Sequence, residues 1–121
     1  MGSVNRTTGE YADFGPVEER KQDIDGQTIS FITFKQTVDG APLLKGLPGD
    51  QCHCPHWGYV TRGSLSFAFA DRVEVYEAGD AYYVPPGHTP AATEDTETIM
   101  FSPADLLKET EEQMARNMQH A

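Results

Sequence analysis

Two thiols and two imidazoles stand within five residues, Cys52-His53-Cys54-Pro55-His56, and these side chains hold soft or borderline metal ions. If the segment runs extended, alternate side chains leave on opposite faces, so Cys52, Cys54 and His56 share one face and His53 takes the other. A metal needs a further donor. The remaining histidines are His88, in the stretch Val84-Pro85-Pro86-Gly87-His88-Thr89-Pro90, and His120 near the chain end. His88 is the stronger candidate. The competing reading is packing, because free cysteines are often simply buried and a histidine near Trp57 and Tyr59 can be a core residue. A Cys52–Cys54 disulfide ranks last, since closure across one residue strains the bridge.

Composition bounds what these residues can serve. A chain of 121 residues with 38% hydrophobic content fits one domain with one modest core. Nine Lys and Arg against nineteen Asp and Glu give a net charge of −10, which argues against nucleic acid or an anionic membrane as partner. No apolar run approaches the ~20 residues of a membrane span, and the first residues lack the apolar segment of a signal peptide. The expected location is cytoplasmic, with both thiols reduced.

The elements that must position the candidate ligands follow from periodicity. Residues 1–26 are polar without a sustained period and are expected to form an N-terminal arm over an edge of the fold. Residues 27–38 are dense in β-branched and aromatic side chains and predict a strand, stopped by Asp39-Gly40. Residues 41–50 read as a loop whose Leu43, Leu44 and Leu47 pack over the domain. Leu65, Phe67 and Phe69 alternate with small or polar residues, as do Val73 and Val75, and Ala70-Asp71-Arg72 between them has hairpin length. Residues 81–84 and 96–101 predict two further short strands, the first ended by Pro85-Pro86-Gly87. Many short strands with regular turns indicate an all-β sandwich or barrel across residues 27–101.

Residues 102–121 read differently. Ser102 is a candidate N-cap, with Pro103 at the first helical position and Asp105 completing a capping box. Leu107, Thr110, Met114 and Met118 then form one stripe, with Lys108–Glu112 and Glu112–Arg116 as outer pairs.

Gly79-Asp80-Ala81-Tyr82-Tyr83-Val84-Pro85-Pro86-Gly87 is a Gly, five residues and Pro-x-Gly, and with it residues 49–88 resemble a small single-domain cupin, whose second motif begins in this way. The motif's His position holds Pro90, with His88 two residues earlier, an even shift that keeps the same face. In the first motif, His56 stands where the family has Glu, with six residues between it and Gly63, and Cys52-x-Cys54 stands roughly where it has His-x-His. The resemblance implies an all-β cupin barrel, a double-stranded β-helix or jelly roll, with a C-terminal α-helix, and a homodimer.

The altered ligands point to chemistry of their own. Cys52, Cys54, His56 and His88 favour a tetrahedral Zn²⁺ or Cu(I) site over the octahedral shells suited to manganese or iron. Iron or no metal at all stay open. With all four donors engaged the site is closed and structural; with one donor off, a coordination position is free for chemistry. If His88 is not a ligand, it is the candidate acid or base. The expected function is a metal-binding cupin, acting as a small enzyme on an organic metabolite in its pocket; the alternative is a non-catalytic binding or sensory module, with or without metal. Tyr59, Tyr82, Tyr83 and Trp57 lie near in sequence, and packing or rim positions are the expectation for them.

Overall fold

Alternating side chains, punctuated by turn glycines, build ten strands and one α-helix, with two short 3-10 turns at Ala41–Leu44 and Pro48–Asp50, in the computed structural model, which describes residues 2–119. The strands are β1 (Glu10–Asp13), β2 (Val17–Ile24), β3 (Gln27–Phe34), β4 (Val38–Asp39), β5 (His56–Arg62), β6 (Ser64–Ala68), β7 (Val73–Glu77), β8 (Ala81–Val84), β9 (Thr89–Ala92) and β10 (Glu97–Pro103), followed by helix α1 (Ala104–Gln119). One sheet has the order β1-β2-β3-β10-β5-β8 and the other β4-β9-β6-β7, and every pairing is antiparallel. The jelly-roll expectation holds, as two facing sheets rather than a continuously hydrogen-bonded barrel. Phe34, Val60, Leu65, Phe67, Val84 and Met100 fill the space between them.

Several expected boundaries move. Residues 1–26 supply β1 and β2, which extend the larger sheet by pairing on β3. β2 reads as Val-Glu-Glu-Arg-Lys-Gln-Asp-Ile, so its charges hide a strand that buries Val17 and Glu19. The strand expected over 27–38 ends at Phe34, and Val38 opens a separate two-residue pairing with β9. β9 was not expected, because it contains Pro90; that residue contributes its carbonyl instead, which accepts from Gly40 N at 2.7 Å.

The helix begins at Ala104, directly after β10. Ser102 is therefore a strand residue, fully buried, and not a helix cap. Leu107 and Thr110 are buried and Met114 is partly so, against Leu44, Leu47, Cys52 and Cys54, while Met118 is exposed. The expected stripe is thus used within the chain. Gln113 and Asn117 fasten the helix by donating to the Lys45 and Leu43 carbonyls at 3.0 and 2.7 Å. Arg116 donates to Gln113 Oε1 rather than pairing with Glu112.

Gly63 makes the turn between β5 and β6 at φ +84°, and a side chain there would run into Thr96. Thr96 is itself fixed, donating to the Ser64 carbonyl and accepting from Ser64 N. Gly63→Ala is expected to cost about 1–3 kcal/mol, read as a lower urea midpoint. An unchanged midpoint contradicts this packing.

Candidate metal centre

Strand parity carries only part of the Cys52–His56 segment. β5 starts at His56, residues 53–55 are irregular, and Cys52 forms an isolated antiparallel bridge with His88. In that bridge Cys52 N donates to the His88 carbonyl at 2.8 Å, and the Cys52 carbonyl accepts from Gly87 N at 2.9 Å and His88 N at 3.1 Å. Gly87, at φ +93°, allows the chain to double back so that both N–H groups reach one oxygen.

The bridge sets a thiol beside an imidazole, and β5 brings a second imidazole from below. One donor atom from each of Cys52, His56 and His88 lies within 4.8 Å of the other two, and all three residues are buried. Cys52 Sγ is 3.7 Å from His56 Nε2. A tetrahedral zinc site with Zn–S about 2.3 Å and Zn–N about 2.0–2.1 Å separates S from N by about 3.6 Å, so the spacing fits a shared ion. The two imidazole centroids are 5.0 Å apart, and Phe67 meets the His88 ring edge-on at 5.2 Å.

The outer nitrogens are held in the way metal-binding histidines require. His88 Nδ1–H donates to the Pro85 carbonyl at 2.8 Å, which leaves Nε2 with the free lone pair. His56 Nδ1 lies 2.7 Å from Ser102 Oγ, and with Nδ1–H donating there its Nε2 is likewise free towards Cys52. Burial, followed by the neighbouring His88, lowers the His56 pKa to about 3. Burial lowers His88 as well, against the opposing pull of the Pro85 carbonyl. Burial raises the Cys52 thiol. Two neutral imidazoles and one protonated thiol therefore meet here at neutral pH.

The other expected residues lie apart from these three. The Cys54 thiol, buried and raised to about 12 first by desolvation, faces the Pro55 and Pro103 carbonyls at 3.4 and 3.9 Å. His53 is exposed, its Nε2–H donating to the Pro48 carbonyl at 2.6 Å. His120 lies outside the described residues. Tyr59, Tyr83 and Trp57 point outward, and Tyr82 is buried but engaged with Thr98 Oγ1 at 2.8 Å. Ser102 was missed as a site residue because its position before a Pro resembles a helix start. The signal was its parity with Thr98 and Met100, which places all three on the inward face of β10.

A cavity of about 100 Å³ adjoins the three donors, walled by Phe67, Met100, Leu107 and Thr110.

Ser102→Ala leaves the His56 Nδ1 side without its partner, and is expected to cost about 1–3 kcal/mol in denaturant unfolding. The folded pKa of His56 lies below its unfolded value, so the stability gained by keeping it neutral is complete above about pH 6.5 and is lost as pH falls from there towards 3. The melting temperature of metal-free protein should fall between pH 7 and 4 more steeply than that of His56→Gln; parallel curves contradict the burial of a neutral His56.

No protein-family model matches the chain, and no curated protein matches it. Solved structures do. The polyketide cyclase RemF from Streptomyces resistomycificus aligns with TM-score 0.63 at 20% identity, over 85% of this chain and 79% of its own. KdgF from Halomonas sp. aligns with TM-score 0.59 at 18% identity, over 85% and 94% of the two chains. A cupin-2 domain-containing protein from Shewanella frigidimarina aligns with TM-score 0.51 at 20% identity, over 70% and 78%. The chain has the cupin fold.

Proposed function

We propose that this cupin-fold chain holds one zinc-class ion through Cys52, His56 and His88 and acts as a small enzyme on an organic metabolite in the adjoining cavity. The observation that carries the reading is the convergence of three buried donors within 4.8 Å, with the His88 tautomer fixed by the Pro85 carbonyl and His56 Nδ1 held by Ser102. One thiolate and two imidazoles suit zinc, and three protein ligands leave a position that a substrate can reach, as in catalytic rather than structural zinc sites. When bound, such an ion supplies Lewis acidity to a carbonyl or other oxygen donor. The chain's own part is to hold His56 and His88 unprotonated, to keep the cavity dry with Phe67 and Met100, and to release the Cys52 proton as the ion enters. His88, with its second nitrogen committed to Pro85, is assigned as a ligand rather than as the acid or base. Cys54 is assigned to packing between the Cys52 loop and α1. The polyketide cyclase RemF supports an enzyme by fold likeness alone.

Protein purified without added metal is expected to carry about one zinc per chain by elemental analysis. Cys52→Ala, His56→Ala and His88→Ala should lose it, whereas Cys54→Ala and His53→Ala should retain it. Retention by all three of the first group contradicts the site, and a parent protein without zinc favours the non-catalytic, metal-free binding module.

Only Cys52 carries a proton that the ion must displace near neutrality. Zinc affinity is therefore expected to fall about tenfold for each pH unit between 8 and 6. A hundredfold fall per unit, measured by competition with a chelating dye, would mean that a second group is displaced.

We also propose a homodimer through the outer face of the larger sheet. The N-terminal strands and the helix stripe are occupied within the chain. Cross-strand register instead lines up Ile29, Phe101, Trp57 and Tyr83 in one row and Phe31, Ile99 and Tyr59 in the next. Trp57, Tyr59, Tyr83 and Phe101 are each 41–49% exposed. Neither row contains an acidic residue, so two copies of net charge −10 meet there with least repulsion, and aromatic side chains are typical of interface centres. Light scattering should give twice the 13.4 kDa chain mass, and Trp57→Lys with Phe101→Lys should return it to 13.4 kDa. A monomeric parent protein contradicts the interface.

A further inference from the structure

Two buried side-chain oxygens in the same cavity lack hydrogen-bond partners, and the metal centre does not use them. Glu19 Oε1 on β2 and Ser30 Oγ on β3 have none, although the two residues are only 6% and 1% exposed. Buried polar atoms are almost always satisfied, so a pair left open on one wall requires an explanation. Both line the cavity that Cys52, His56 and His88 line. Ser30 lies opposite Met100 on β10, and Met100 lies opposite Gly58 on β5. Ser30 is thus two strands, and Glu19 three, from the strand that carries His56.

We propose that Glu19 and Ser30 are the recognition subsite for a hydroxyl group of a compact hydroxy acid whose carboxylate is directed at the metal centre. The proposal rests on the metal reading above. An ion of charge +2 bound by one thiolate keeps a net positive charge, which suits a carboxylate at that end. At the other end a hydroxyl can donate to one of the open oxygens and accept from the other.

The charges on this wall agree. Lys21 is in close contact with Glu111, and its Nζ lies 3.5 Å from Glu19 Oε1 without hydrogen-bonding it. Desolvation first, and then the adjacent Glu111 carboxyl, raise Glu19 to about 9, so at neutral pH it is an acid that can donate as well as accept. Lys21 and Glu111 offset each other, and the wall presents a neutral hydrogen-bonding pair. A ligand with a carboxylate at both ends would bury a second charge against a wall whose one cation is already paired, and is disfavoured. Size narrows the class further: about 100 Å³ is smaller than the ~150 Å³ cavity that admits benzene.

The test compares glycolate, 3-hydroxypropionate and 4-hydroxybutyrate with acetate, propionate and butyrate, by calorimetric titration of both zinc-loaded and metal-free protein. At least one hydroxy acid is expected to bind zinc-loaded protein tenfold or more tightly than its unsubstituted partner. Glu19→Leu and Ser30→Ala should each reduce that ratio below threefold while zinc content stays at that of the parent. Because Ser30→Ala removes an unpaired buried hydroxyl, that variant should melt no lower than the parent. Equal affinities within every pair, the result if the two oxygens merely hold a water, overturn the proposal, as does a preference that survives both substitutions. If the protein takes up no zinc, the metal reading fails on its own count, and the same pairs on metal-free protein decide this one.

Discussion

The two-way backbone bridge between Cys52 and His88 is the constraint on which the site depends. It joins the irregular segment before β5 to the turn between β8 and β9, two stretches that share no continuous strand. Three backbone bonds fix the Cα positions of a thiol and an imidazole residue, and Gly87 supplies the left-handed turn that lets two of those bonds share one carbonyl. His56 then needs only the inward parity of β5 and the hydroxyl of Ser102 to complete the group. Such fixation by backbone, with outer nitrogens tied to Pro85 and Ser102, holds ligands in place without relying on the ion to assemble them.

Burial sets the chemistry of the group. The surroundings that keep both imidazoles neutral also keep the Cys52 thiol protonated, so one proton stands between the protein and an ion. Helix α1 adds to this closure: Thr110 lies 3.6 Å from Cys52 Sγ, and Leu107 covers the same loop. The helix therefore acts as a side wall of the site, and its apolar stripe is consumed there.

The cupin strands were legible where alternation was clean, as in β6, β7 and β8, and where Gly79 to Gly87 fixed turn geometry. β2 was hidden because charged residues occupy both of its faces, Glu18 and Arg20 on one and Glu19 and Lys21 on the other, and β9 because it is four residues long with a proline. Of the candidate ligands, Cys52, His56 and His88 come together, with His53 turned to solvent. Cys54 shares the buried side that parity assigns, yet Pro55 breaks the strand and turns its thiol towards backbone carbonyls. Ser102 was illegible because a Ser-Pro pair before an amphipathic run fits a helix start as well as a strand end. The identity of a binding partner for Glu19 and Ser30 could not be read from sequence, since only the assembled cavity shows both oxygens unpaired.

X-ray absorption at the zinc edge of the purified protein tests the central claim most directly, because it counts the ligating sulfurs. Three converging donors predict one sulfur at about 2.3 Å and two imidazole nitrogens at about 2.0 Å, with one further light atom completing the shell. Two sulfurs, which would bring Cys54 onto the ion and close the site, or none, which would reduce Cys52 to packing, contradict it.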